Sequence, residues 1–82
     1  MIEVVVRGQD GDEFIFMDHR SWLLNDIDLL ASCIAEDDFN NAGSDLNDPS
    51  LWPREYEILF NGEWVKVSVD MEYNPTFWAQ KL

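Results

Sequence analysis

The sequence predicts an α+β domain: a small antiparallel sheet in the order β-β-α-β-β, with one helix packed across one face. Three observations lead there. Asn61-Gly62 separates two runs that alternate apolar and polar residues, the strongest short-range hairpin signal a sequence carries. Two β-branched and aromatic runs, 2–7 and 13–17, flank the turn residues Gln9-Asp10-Gly11-Asp12. Between these pairs, Leu23, Ile27, Leu30 and Ile34 recur at steps of four, three and four, one face of a helix.

Taken in chain order, residues 2–7 and 13–17 form an antiparallel hairpin. Asp18 or Ser21 is expected to cap the helix, since either can offer a side-chain oxygen to an unpaired first-turn amide. The helix is placed at about 22–38, with Cys33 beside its apolar stripe. Residues 40–53 then read as a long acidic loop, interrupted by Gly43, Pro49 and Pro53. The second hairpin spans 54–60 and 63–71. With Asn61-Gly62 as a two-residue turn, Phe60 faces Glu63, Leu59 faces Trp64, Ile58 faces Val65, Glu57 faces Lys66 and Tyr56 faces Val67. Tyr56, Ile58, Val65 and Val67 then share the core face. The last segment, around Asn74-Pro75, is expected to fold back over Leu59 and Trp64.

Eighty-two residues suit one domain with a modest core, near the size at which stability becomes marginal. Hydrophobic residues make up 46% and aromatics 13%, too much for a disordered acidic tail. Cys33 is the only cysteine, which excludes an internal disulfide and suits a reducing cytoplasm. The start of the sequence lacks the basic and cleavage-site features of a signal peptide, and no apolar run is long enough to span a bilayer.

Against that foldable background stands a formal charge of −12, from seventeen Asp and Glu and five Lys and Arg. Self-repulsion of this size opposes compaction and exceeds what solubility requires. It also repels nucleic acid and anionic membrane surfaces, so the expected partner is a basic protein. The acids concentrate between Asp10 and Asp48, where Arg20 is the only base. Glu36, Asp37 and Asp38 fall at the expected C-terminal end of the helix, where the macrodipole disfavours anions. With Asp45 and Asp48 they form the candidate partner-binding surface, on which carboxylates stand in for nucleic-acid phosphates. Reversing charge at Asp37, Asp38 and Asp45 together is expected to abolish binding while leaving the fold intact. An ordinary solvated face, or adaptation to high salt, are the plainer explanations of the same acids.

Dedicated metal and catalytic chemistry find little support. EF-hand frames started at Asp10 or Asp37 place Phe14 or Phe39 where oxygen ligands are needed. His19 is the only histidine, the glycines are isolated turn residues, and Cys33 suits a small buried hydrophobe. No catalytic residue, metal or cofactor is therefore assigned, and an enzyme is not expected. Of the four tryptophans, Trp22 and Trp78 are expected to serve core or tail packing, whereas Trp52 and Trp64 are the candidate interface anchors.

Small size, strong acidity, an α+β frame and the absence of a catalytic set together resemble the small acidic anti-defence proteins of phages and mobile elements. Several anti-CRISPR and anti-restriction members of that class act as nucleic-acid mimics. The resemblance covers size and charge and rests on no diagnostic motif, so it assigns no residue. It implies a stoichiometric inhibitor of a CRISPR effector or restriction enzyme, acting in the cytoplasm of a bacterial host as monomer or homodimer. An immunity protein or antitoxin against a basic nuclease toxin, or an acidic structural or adaptor subunit, are the alternatives.

Overall fold

The computed structural model describes residues 1–42, 49–73 and 76–82. It has five strands, β1 (Ile2–Arg7), β2 (Glu13–Asp18), β3 (Arg54–Phe60), β4 (Glu63–Tyr73) and β5 (Thr76–Lys81), and one α-helix, α1 (Ile27–Ala42). All neighbouring strands run antiparallel in a single sheet of order β2-β1-β3-β4-β5. This is the expected α+β class, with one strand more than the sequence suggested.

The β3–β4 hairpin has the expected register throughout, from Phe60 opposite Glu63 to Tyr56 opposite Val67. Asn61 and Gly62 both take positive φ, 52° and 85°, as a tight turn matched to strand twist requires. The extra strand is the terminal aromatic segment. It does not cover Leu59 and Trp64. It extends the sheet instead, with Met71 opposite Phe77 and Val69 opposite Ala79. The free edge of the long β4 supplies hydrogen bonds to the segment's backbone, and Phe77 and Ala79 turn toward the core.

The helix also differs from expectation. Ser21–Asn25 forms a 3-10 turn, and neither Asp18 nor Ser21 caps α1. Asp26 does, its Oδ1 accepting the Leu29 N–H at 3.1 Å. Leu23 keeps its place in the apolar stripe from within the 3-10 turn and is fully buried, which leaves the adjacent Trp22 outside. At the other end the helix continues to Ala42, because Phe39 still finds a partner: its ring meets Phe77 edge-on at 5.6 Å.

The core lies between α1 and one face of the sheet, around Leu30, Ile34, Val6, Tyr56, Ile58 and Val67. Burial of such side chains is the main force holding the fold together. Trp52, immediately before β3, closes one end of this core against Phe77, ring centroids 5.1 Å apart. The hairpin β1–β2 joins the rest of the sheet through two β1–β3 pairs, Val6 with Ile58 and Arg7 with Glu57. Among the described residues no helix is long and apolar enough to cross a membrane.

Candidate functional site: an acidic cleft

The helix packs most closely on β5, with β4 and β3 beneath it, so part of the inner face near Phe14 stays uncovered. The gap is a cleft of about 520 Å³ between the β1–β2 turn and the C-terminal half of α1. The turn contributes Asp10, Asp12 and Glu13, and the helix contributes Asp37 and Asp38. Gly11 holds the turn at φ 89°, and the Gly8 N–H closes it onto the Asp12 carbonyl at 2.8 Å. Arg54 is the only cation lining the cleft among the described residues.

The acids are not equivalent. Asp38 accepts a hydrogen bond from the Tyr56 hydroxyl at 2.8 Å, which ties the helix to the centre of the sheet. Burial pushes the Tyr56 phenol well above its ordinary value, and the Asp38 carboxylate adds to the shift. Among the described residues Asp37 reaches only Asn41, whose side-chain amide donates to it at 3.4 Å on the same helix face. Glu36 is exposed one residue earlier and lines a second, smaller recess with Asp18, Asp37 and Arg20.

Of the five Lys and Arg, Arg54 lines the cleft, while Arg7 and Arg20 are engaged by other acids. Arg20 is engaged twice by Asp18, through Nε at 2.9 Å and Nη2 at 2.8 Å, with its own backbone N–H bonded to the same carboxylate. These bonds hold the Asp18 carboxyl well below the usual carboxylate range. Arg20 also donates to Cys33 Sγ at 3.6 Å, yet burial still raises the thiol above its ordinary value. Arg7 pairs with Glu13 at 3.7 Å and sits 3.8 Å from the centre of the Trp64 ring. Asp10, Asp12, Glu36 and Asp37 therefore present charge with no ion pair among the described residues.

The expected site residues separate into three sets. Of the helix trio Glu36, Asp37 and Asp38, the last two meet Asp10, Asp12 and Glu13 across the cleft, while Glu36 lines the neighbouring recess. The sequence reading places Asp10 and Asp12 in a turn and Glu13 in a strand, outside the candidate surface. The trio also precedes the last turn of α1, so the conflict with the helix dipole is weaker than expected. Asp45 and Asp48 lie outside the described residues. The tryptophans fall elsewhere: Trp52 is 8% exposed and belongs to the core, and Trp64 projects from the opposite face of the sheet. Trp22 and Trp78, expected in core or tail packing, are 59% and 50% exposed, so neither belongs to the core.

Chemically, the cleft can gather cations by its field. No group of three or more His, Cys, Asp or Glu among the described residues is arranged to hold a metal ion. No family model matches the chain, and neither the curated proteins nor the solved structures include a match to it.

Proposed function

We propose that this chain is a non-enzymatic inhibitor that binds a basic nucleic-acid-handling protein through its acidic cleft rim and blocks access of nucleic acid. The observation that carries the reading is the convergence of Asp10 and Asp12 from a turn with Glu36 and Asp37 from a helix. They lie on neighbouring recesses, while Arg7 and Arg20 are committed to Glu13 and Asp18. Carboxylates fixed on a folded frame offer Arg and Lys the contacts that phosphates normally give. An anti-CRISPR or anti-restriction protein is the specific form that the resemblance in size and charge suggests.

The geometry also refines the mutational test. Asp38 holds Tyr56, so reversing it would damage the fold as well as the surface. The cleaner variant is Asp10→Lys, Asp12→Lys and Asp37→Lys combined. Affinity capture from host lysate at low and high salt should recover a basic nucleic-acid-binding complex, lost at high salt and competed by DNA or RNA. The triple variant should recover none while keeping the wild-type circular dichroism spectrum. Capture unaffected by the triple reversal would refute the acidic-rim reading. Recovery of one salt-resistant toxin would point to an immunity protein instead.

A further inference from the structure

The face of the sheet away from α1 carries two rows of unlike character. In the first, Ile15 pairs with Val5 and Leu59 pairs with Trp64. Val5 and Leu59 each lie one position from the paired Val6 and Ile58, so the four side chains share one level across β2, β1, β3 and β4. Ile15 is 57% exposed, Leu59 37% and Trp64 38%. In the neighbouring row Glu13 pairs with Arg7, Arg7 with Glu57, and Glu57 with Lys66. Read across the sheet, the charges run minus, plus, minus, plus.

We infer that this face is a self-association surface whose occupant is a second copy of the chain. A two-fold axis parallel to the strands, set between β1 and β3, reverses each row and lays it against itself. Glu13 then faces Lys66 of the second copy, and Arg7 faces Glu57. Every charge in the row meets its opposite, and Ile15, Val5, Leu59 and Trp64 face Trp64, Leu59, Val5 and Ile15. Such a sequence of signs is complementary to its own reversal, which an isologous interface requires. The arrangement is an aligned face-to-face packing of two sheets, about 10 Å apart.

The total charge of −12 opposes pairing, and Glu3 and Glu55 add to that on this face, but the helix acids lie on the other side of the sheet. Screening acts over about 8 Å at physiological ionic strength, so salt removes distant repulsion more effectively than it weakens apolar contact. Self-association should therefore strengthen with salt, opposite to capture of a basic partner. It shares Glu13 and Ile15 with the cleft lining but none of Asp10, Asp12, Glu36 and Asp37, which carry the first reading, so either reading can fail without the other.

Sedimentation velocity of the full chain, between about 0.05 and 1 M NaCl, tests the inference. The expected result is a monomer–dimer equilibrium that shifts toward dimer as salt rises. Arg7→Glu alone and Glu57→Arg alone each create two like-charge encounters, and should weaken the dimer about tenfold. An equimolar mixture of the two variants restores opposite charges at both encounters and should regain dimer. Leu59→Glu, at an exposed position, should abolish the dimer and keep the wild-type spectrum. A wild-type chain that stays monomeric throughout, or a mixture no more dimeric than its components, would overturn the proposal.

Discussion

Tyr56 and Asp18 show how single polar groups shape this molecule. The Tyr56 ring is buried and its hydroxyl donates to Asp38. Tyr56→Phe should lower stability by about 1.5–3 kcal/mol in urea unfolding, the range for a hydrogen bond to a charged group. The phenol's raised pKa works in one direction: its stabilising contribution is full below the ordinary value of 10.0 and is lost as pH climbs above it. Alkaline unfolding of the wild type, absent in Tyr56→Phe at the same pH, is the expected signature. Asp18 has the opposite sign. Its depressed pKa supplies stability that is present above the ordinary value of 3.8 and lost as pH falls below it. Thermal melts of Asp18→Asn should start lower at neutral pH and decline less steeply into acid than those of the wild type.

At the scale of elements, local chemistry decided what could be read from the chain. The β3–β4 hairpin was legible to the last pair because turn residues, alternation and cross-strand partners all lie within eighteen residues, 54–71. Gly62→Ala places a side chain at φ 85° and should cost about 1 kcal/mol, read as a lowered urea midpoint with unchanged slope. The start of α1 was misplaced because Ser21 and Asp26 are both good caps, and only the burial of Leu23 from a 3-10 turn separates them. The fifth strand was missed although it pairs with the strand just before it, because Phe77, Trp78 and Ala79 are consecutive apolar residues with no alternation to announce it. The candidate site was half legible because half of it depends on tertiary placement. Acids on one helix can be seen in a sequence, whereas their meeting with Asp10 and Asp12 depends on where the β1–β2 turn is carried. Trp52 was misjudged by its loop context, since residues flanking a strand can still close a core.

For the whole molecule, charge and topology act against each other. The formal charge of −12 strains a small domain whose core must hold it together, so screening should help. Raising NaCl from about 0.05 to 0.5 M should increase the melting temperature by several degrees. The Asp10→Lys, Asp12→Lys, Asp37→Lys variant, six charges less negative, should show a smaller gain. The narrow junction between β1 and β3 has a mechanical meaning as well. The sheet is built as two leaves, the β1–β2 hairpin and the β3–β4–β5 meander, hinged on Val6–Ile58 and Arg7–Glu57. Val6 and Ile58 are both fully buried, so the hinge is clasped by side chains more than by a long ladder of backbone bonds. The acidic rim spans that hinge, with Asp10 and Asp12 on one leaf and Asp37 on the helix that rides the other. Opening the leaves would widen the cleft and spread its carboxylates apart, so the spacing of the negative charge is set by how firmly two residue pairs hold.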